Sequence, residues 1–200
     1  VGIATIAGGV ENVIGAASGG DYSTIGGGEH NLITGDYAFI GGGRYNTASG
    51  DYAIIGGGQS DLASGINTIV VGGTLNQATT DFAIVVGGSN NTARGRYSFI
   101  GGGQSDLASG INAVVGGGAN NQASTDFAVV TGGQQNTARG RYSFVGGGQS
   151  DTASGTNTIV VGGASNLAST DYAAIVGGQQ NTARGRWSFI GGGRVNTANN

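Results

Sequence analysis

Closely spaced arginines are the residues of this sequence that could bind an anion. They form an Arg-Gly-Arg pattern that occurs three times, 45 residues apart, at Arg94 and Arg96, Arg139 and Arg141, and Arg184 and Arg186. Guanidinium groups donate paired hydrogen bonds to oxyanions, so the pattern predicts a recurring patch for an anionic ligand such as a matrix glycosaminoglycan or a surface glycan. The favoured interpretation, however, is that the charges keep register and solubility, and a third is that they pack neighbouring fibres side by side.

An aspartate accompanies each of these patterns. It lies fifteen residues before the second arginine, at Asp81, Asp126 and Asp171. Fifteen residues is also the length of the internal repeat described below, so we expect each aspartate to lie one repeat below an arginine and to form an exposed ion pair with it. Such a pair contributes only about 0–1 kcal/mol to stability, and it would offset half of the charge of the patch.

Two further motifs resemble ligand-binding loops only in part. Gly-Gly-Gly tracts could cradle a phosphate, but a P-loop needs Gly-Lys followed by Ser or Thr, and the chain has no lysine. The segment 56–63, Gly-Gly-Gly-Gln-Ser-Asp-Leu-Ala, partly resembles a calcium-binding repeat, which would place calcium at Asp61, Asp106 and Asp151. Because the period differs and Asn or Asp recurs in every block, a ladder of side-chain hydrogen bonds to turn amides is the favoured interpretation.

Residues for catalysis or metal binding are scarce. The chain has one histidine, His30, and no cysteine, which excludes a thiolate nucleophile and leaves no zinc-ligand set. We expect the His30 side chain to be exposed. Serines are frequent, but the acidic residues obey the repeat, whereas catalytic groups interrupt one. We therefore predict a protein that is not an enzyme, with no catalytic residue, no metal and no cofactor.

The overall composition excludes several classes of partner. Eight basic and eleven acidic residues give a net charge of −3, which provides no basic footprint for nucleic acid. No apolar run reaches the roughly 20 residues of a membrane helix, so this segment is not expected to span a membrane. The 45 glycines disfavour long helices, and 38 % hydrophobic residues with few charges argue against disorder.

An internal repeat specifies the elements that must position these residues. From Asp21 the chain divides into twelve blocks of fifteen residues without insertion or deletion. Residues 1–20 are expected to form a degenerate first repeat with a four-residue insertion (Ala17 to Gly20), and residues 21–200 twelve tandem repeats, with a 45-residue super-repeat from residue 51. Each block has one β-type run, a glycine pair and a polar run. The repeat therefore predicts an all-β protein, a parallel β-solenoid whose equivalent positions stack about 4.8 Å apart.

Block positions 1 to 15, with Asp21 at position 1, indicate which side chains face inward. Positions 3, 5 and 13 are small or β-branched, so they are expected to fill the narrow interior. Alternation along a strand then directs positions 2 and 4 outward, although both are mostly apolar. A strand that is apolar on both faces is usually buried on both faces by other parts of the protein or by a partner chain. Position 4 is thus predicted to be an oligomer interface, formed by Phe39, Ile54, Ile69, Ile84, Phe99, Val114, Val129, Phe144, Ile159 and Phe189.

A glycine pair occupies positions 7 and 8 in all twelve blocks. Glycine adopts positive φ without steric cost, so the pair predicts a tight corner between two strands. We expect Gly102→Val to force a Cβ into this corner and, if φ is positive there, to destabilise the coil by about 1 kcal/mol or more.

Blocks such as RYSFIGGGQSDLASG (96–110) and DYAFIGGGRYNTASG (36–50) resemble the head repeats of trimeric autotransporter adhesins, and the resemblance covers about 21–200. It implies a left-handed parallel β-roll that is homotrimeric about a long axis. It also implies an extracellular bacterial surface protein that binds host or extracellular-matrix molecules, protein or glycan, and is held in the outer membrane by an anchor outside this sequence. Phage tail fibres and other surface proteins use similar repeats.

These observations favour a non-enzymatic surface adhesin or fibre head that presents a repetitive polar binding surface. The alternative is a structural, self-assembling extracellular filament or a segment of a phage tail fibre, which the same repeats would suit. An ice-binding solenoid would need a flat outward column of Thr-x-Thr, and the threonines are scattered instead.

Overall fold

The computed structural model describes residues 2–15 and 19–199. It divides into two compact units, Val1–Gly102 (unit 1) and Gly103–Asn200 (unit 2). Each unit is a parallel β-solenoid in which one fifteen-residue block makes one coil, so this part of the predicted fold class is confirmed. A coil has one short strand at positions 4 and 5 and another at positions 12 and 13, and no helix occurs in 2–15 or 19–199.

Unit 1 is built from two-residue strands. They are β1 (Thr5–Ile6), β2 (Val13–Ile14), β3 (Thr24–Ile25), β4 (Leu32–Ile33), β5 (Phe39–Ile40), β6 (Thr47–Ala48), β7 (Ile54–Ile55), β8 (Leu62–Ala63), β9 (Ile69–Val70), β10 (Gln77–Ala78), β11 (Ile84–Val85), β12 (Thr92–Ala93) and β13 (Phe99–Ile100). Strands β1-β3-β5-β7-β9-β11-β13 form one parallel sheet, and β2-β4-β6-β8-β10-β12 form the other.

Unit 2 has the same construction. Its strands are β14 (Leu107–Ala108), β15 (Val114–Val115), β16 (Gln122–Ala123), β17 (Val129–Val130), β18 (Thr137–Ala138), β19 (Phe144–Val145), β20 (Thr152–Ala153), β21 (Ile159–Val160), β22 (Leu167–Ala168), β23 (Ala174–Ile175), β24 (Thr182–Ala183), β25 (Phe189–Ile190) and β26 (Thr197–Ala198). Strands β15-β17-β19-β21-β23-β25 form one parallel sheet, and β14-β16-β18-β20-β22-β24-β26 form the other.

The register of both units follows the block length. Ile54 pairs with Ile69 and Val129 pairs with Phe144, so successive strands of a sheet are fifteen residues apart. The first coil differs, because Thr5 pairs with Thr24, an offset of nineteen residues. Nineteen residues is one block plus the four residues predicted as an insertion, of which 17 and 18 lie outside the described residues.

The interior of each solenoid holds small and β-branched side chains. Positions 5 and 13 are fully buried, as at Ile40 and Ala48 in unit 1 and at Val115 and Ala123 in unit 2. Position 3 is buried in nearly every coil, so the predicted inward columns are confirmed. Position 11 is a further buried column that is entirely polar: Asn46, for example, is 0 % exposed.

The aromatic residues at position 2 lie outside the strands, so the predicted alternation from position 2 to position 5 is wrong. Tyr52 has a φ of 58° and lies in a β-turn, which the Ala53 N–H closes by donating to the Gly50 carbonyl at 3.2 Å. The strand begins only at Ile54. A left-handed backbone is uncommon for a bulky residue. The aromatic side chains therefore mark a turn that repeats in every coil where they occur.

The glycine corner is tight at position 8 and open at position 7. Gly43, at position 8, has a φ of 89°, and an added Cβ would collide with the Gly58 carbonyl oxygen and lie 2.6 Å from Asn46 Nδ2. An added Cβ at Gly42, at position 7, would meet no atom within 4 Å. The same open space surrounds Gly102, so the steric clash expected for Gly102→Val is wrong, and only a φ of 149° disfavours a side chain there.

Candidate functional site

All six arginines of the Arg-Gly-Arg patterns are exposed. The first arginine of each pattern, at position 14, makes no ion pair, ring contact or side-chain hydrogen bond with another described residue, as at Arg94, Arg139 and Arg184. These three guanidinium groups are therefore exposed and unpaired among the described residues, and none of them lines the two pockets described below.

The second arginine of each pattern lies over aromatic rings. Arg96 Cζ is 4.9 Å from the ring centroid of Tyr97 and 5.8 Å from that of Phe82. Arg141 Cζ is 4.8 Å from the ring centroid of Tyr142. Arg186 repeats the contact with Tyr172 and Trp187, at 5.6 and 5.9 Å. A cation–π contact at an exposed site contributes about 0.5–1 kcal/mol, which is enough to orient the guanidinium group.

The rings beneath these arginines are stacked in pairs. The centroid separations are 4.9 Å for Phe82 and Tyr97 in unit 1, and 4.9 and 3.9 Å for the two pairs of unit 2, Phe127 with Tyr142 and Tyr172 with Trp187. Each pair with its arginine is here called an aromatic–arginine cluster. These clusters are not among the predictions from sequence, although their signal is present: in every pattern the second arginine directly precedes the aromatic residue of position 2.

The aspartates do not pair with these arginines, so the ion pairs predicted from sequence are wrong. Asp81 Oδ1 accepts a hydrogen bond from the Ile66 N–H at 3.1 Å, and Asp126 and Asp171 accept equivalent bonds at 3.0 and 2.8 Å. Each carboxylate is thus held by the backbone of the preceding coil, while the arginine of the following coil lies on the rings. Their Oδ2 atoms accept no hydrogen bond from another described residue.

An open pocket lies beside an aromatic–arginine cluster in each unit. The unit 1 pocket has a volume of about 340 Å³, and its polar lining comprises Ser64, Thr79, Thr80, Asp81 and Arg96. The unit 2 pocket has a volume of about 330 Å³, and its polar lining comprises Ser109, Ser124, Thr125, Asp126 and Arg141. The two polar linings match position by position at an offset of 45 residues, with Ser124 in place of Thr79. In both, the hydroxyl oxygen of the position-15 threonine is buried without a hydrogen-bond partner.

The ten predicted interface residues of position 4 lie on the strands of one sheet in each unit, with their side chains half-buried or exposed in the single chain. Phe39, Ile54, Ile159 and Phe189 are 41, 40, 43 and 65 % exposed, and the other six are half-buried. Exposed valines at position 6 continue the same apolar surface, at Val71, Val86, Val161 and Val176. Each unit therefore carries adjoining apolar columns that its own chain leaves partly uncovered.

The position 11 column is a buried hydrogen-bond ladder, as the favoured interpretation predicted. Asn46 Nδ2 donates to the carbonyl oxygens of Gly42 and Gly58 at 3.0 and 3.1 Å. Its Oδ1 accepts from the Asp61 N–H at 3.0 Å. The amide thus bonds the backbone of its own coil and of the next one. Equivalent bonds recur in both units, for example at Asn136.

Aspartates in this column leave part of the ladder unsatisfied. Asp61 Oδ1 accepts from the Asn76 N–H at 2.8 Å, but Asp61 Oδ2 is buried and has no hydrogen-bond partner among the described residues. Asp151 repeats this arrangement in unit 2. Burial raises the pKa of Asp61, Asp106 and Asp151, and the hydrogen bonds that these carboxylates accept lower it only in part. Within 2–15 and 19–199, no three His, Cys, Asp or Glu side chains gather as a metal site would require.

His30 is partly rather than fully exposed, which corrects the expectation from sequence. Its side chain is 31 % exposed and lies 3.0 Å from Glu11 and 3.4 Å from Glu29. Its ring stacks on Tyr45 with centroids 4.8 Å apart. These contacts engage one face and both nitrogens of the imidazole.

No family model matches the chain, and no curated protein matches it. The described residues contain no helix with the length and apolar character needed to cross a membrane. The functional inference therefore depends on the geometry of the clusters, pockets and apolar columns.

Proposed function

We propose that this chain is the head of a non-enzymatic extracellular adhesin or fibre, a homotrimeric left-handed β-roll that presents a repeated polar surface to host or matrix molecules. The observation that carries the proposal is repetition: aromatic–arginine clusters recur every 45 residues, on turns of equivalent geometry. Repeated weak sites on a rigid scaffold bind a repetitive partner through avidity. Such a surface needs no deep pocket and no cofactor.

Support for a non-enzymatic role comes from the groups that could act in catalysis. The single histidine contacts two glutamates and a tyrosine ring, so it is not hydrogen-bonded to a serine nucleophile. The buried aspartates belong to the hydrogen-bond ladder of the solenoid. The exposed aspartates accept backbone N–H groups in the same way from coil to coil. These groups are accounted for by the repeat itself.

Support for the trimer comes from the apolar columns at positions 4 and 6. Contiguous apolar surface of this kind is rarely left in water by a monomeric protein. Another copy of the same chain is the simplest cover, because it supplies a surface of the same repeat length. The resemblance to trimeric adhesin heads gives the expected number of copies and the expected handedness.

The assembly is tested by measuring the molar mass of the purified chain in solution by light scattering coupled to size exclusion. We expect three times the chain mass of 19.5 kDa. Replacing Phe99 and Phe144 by serine should dissociate the trimer, since both side chains lie in the position 4 column. The matched control replaces Leu62 and Leu107 by serine. These leucines lie at position 12 on the other sheet, and the control should leave the molar mass unchanged.

A monomeric wild-type chain would contradict the trimer, and a mass that grows with concentration would favour the filament alternative. The binding role is tested separately on immobilised matrix proteins and glycosaminoglycans. The trimer should bind at least one of them more tightly than the dissociated Phe99 and Phe144 variant, because avidity is lost with the trimer. Absence of binding to every member of the panel would contradict the adhesive role.

A further inference from the structure

The pocket beside the aromatic–arginine cluster brings together a cation, a carboxylate and hydroxyl-bearing residues. In unit 1 these are Arg96, Asp81 and Thr80, with Ser64 and Thr79. The unit 2 pocket repeats the same residue classes at the same offsets. A volume of about 340 Å³ is at the small end of the range for ligand sites. It therefore suits one ring-sized polar group rather than a folded partner.

The guanidinium group of each pocket is positioned but not neutralised. Arg96 and Arg141 lie over the faces of Tyr97 and Tyr142. Among the described residues, neither arginine forms an ion pair with a carboxylate. An orienting ring contact costs the guanidinium none of its N–H donors. An oxyanion on a ligand can therefore take the bidentate bond that the chain does not supply.

Only one of the two oxygens of each pocket carboxylate accepts a hydrogen bond from the described residues. Asp81 and Asp126 each accept one backbone N–H at Oδ1, which fixes the orientation of the group. Each Oδ2 accepts no hydrogen bond from another described residue. A fixed carboxylate oxygen of this kind accepts hydrogen bonds from ligand hydroxyls.

The position-15 threonine has a hydroxyl group that lacks a hydrogen-bond partner within the described part of the chain. The hydroxyl oxygens of Thr80 and Thr125 are buried and have no hydrogen-bond partner among the described residues, and a buried unsatisfied group carries a free-energy cost. A change to another staggered χ1 rotamer would expose this hydroxyl. Ligand binding can therefore supply the partner that the chain leaves out.

We propose that each pocket binds one acidic sugar unit of a glycan, with its carboxylate or sulfate on the arginine and its hydroxyls on the aspartate and threonine. This inference rests on the proposed binding function and narrows its ligand. A neutral sugar would leave the guanidinium group unused. A phosphate ester without neighbouring hydroxyls would leave the aspartate oxygen without a hydrogen-bond donor.

A third set of the same residues extends the proposal within unit 2. Ser154, Ser169, Thr170, Asp171 and Arg186 follow the unit 2 pocket residues at an offset of 45. Asp171 and Arg186 make the same backbone and ring contacts as their counterparts. Three coils at the spacing of β-strands separate the two sets by about 14 Å. An extended acidic glycan can bridge that distance, and bridging adds avidity.

The test measures binding of three oligosaccharides of equal length to the intact chain by titration calorimetry. They are a sulfated heparin fragment, a carboxylated hyaluronan fragment and a neutral maltohexaose. We expect one of the acidic fragments, and not the neutral one, to bind, and the choice between them identifies the oxyanion. Three triple variants are compared: R96Q/R141Q/R186Q, D81N/D126N/D171N and R94Q/R139Q/R184Q.

The pocket predicts that the first two variants each lose at least tenfold in affinity, and that the third, with the same charge change as the first, loses less than threefold. The aspartate variant is decisive because it removes negative charge, which would strengthen a merely electrostatic attraction to a polyanion. Each asparagine can still accept the backbone N–H, and unchanged circular dichroism checks the fold. Tighter binding by the aspartate variant, or equal losses in the two arginine variants, would overturn the pocket.

Failure of this inference is distinguishable from failure of the proposed function. A chain that binds neither acidic fragment but still binds an immobilised matrix protein would overturn the sugar pocket and leave the adhesive role standing. A chain that binds neither fragment and no matrix molecule would overturn both.

Discussion

At the scale of single residues, asparagine and aspartate differ in how well they fit the buried column. Asn46 makes two donor bonds through Nδ2 and one acceptor bond through Oδ1. Asp61 keeps only the acceptor bond, and its Oδ2 is buried without a donor. Only a protonated carboxyl can donate from that atom. Aspartate therefore fits the ladder best when it is neutral.

This chemistry predicts that the buried aspartates of position 11 contribute more to the stability of the solenoid in acid than at neutral pH. Burial raises the pKa of Asp61 and Asp151 in the folded state, so the folded chain binds their protons more tightly than the unfolded chain. The resulting stabilisation is complete below the unfolded-state pKa of about 4 and is lost as the pH rises through the higher folded-state pKa. Chemical denaturation at pH 4 to 8 measures it.

Replacing Asp61 and Asp151 by asparagine should stabilise the chain at pH 7 by about 1–3 kcal/mol per site, because each new amide restores the missing donor bonds. The pH dependence of unfolding should flatten as well. Asp51→Asn is the control with the same charge change at an exposed site, and it should have little effect. A double variant that is less stable than wild type at pH 7 would mean that the carboxylates are satisfied in another way.

The residue types at the candidate site were predictable, but their pairing was not. The exposed arginines and their spacing follow directly from the repeat. The sequence places Arg96 one coil above Asp81, which made an ion pair the natural expectation. In the structure each group contacts a different partner instead: the Ile66 N–H donates to Asp81, and Arg96 lies over the ring of Tyr97. The Ile66 N–H has no signature in the sequence, whereas the ring contact has one, because Tyr97 directly follows Arg96.

At the scale of the coil, one glycine of each pair carries the geometric constraint. Gly43→Ala should destabilise the chain by more than about 1–2 kcal/mol, the cost of a left-handed backbone for a residue with a Cβ, since the Cβ also collides with the Gly58 carbonyl. Gly42→Ala is the matched control and should change stability by less than about 0.5 kcal/mol, because the space around it is open. Thermal unfolding followed by circular dichroism compares the two. Equal effects would place the constraint elsewhere.

The coil was predictable in its columns and less so in its backbone. Small and β-branched residues at positions 3, 5 and 13 identified the interior, because so short a coil has no room for larger ones. The burial of position 11 could not be read from the side chain itself, since asparagine is usually exposed. The turn at position 2 was hidden because tyrosine normally favours a strand, whereas here φ is 58° at Tyr52. In both cases hydrogen bonds between coils override the local preference.

At the scale of the whole molecule, stability is a sum over coils and over the contacts between neighbouring coils. Hydrogen bonds of the ladder join each coil to the next, as between Asn121 and Asn136. Strand pairs do the same, as between β17 and β19. Such a molecule tolerates the loss or gain of complete coils, provided that the register at the new junction is kept.

Deleting residues 111–155 should therefore leave a folded solenoid, because it removes 45 residues and joins Gly110 to Thr156 at a block boundary. We expect the melting temperature to change by less than about 4 °C, the shift produced by about 1 kcal/mol in a chain of this size. Deleting 111–156 removes one residue more, so the turn before Thr158 loses a residue and the following strand slips by one position, which would turn inward side chains outward. The longer deletion should melt at a lower temperature and be cleaved by protease at the new junction. Equal melting temperatures and equal protease resistance of the two deletions would contradict a register set by fifteen-residue coils.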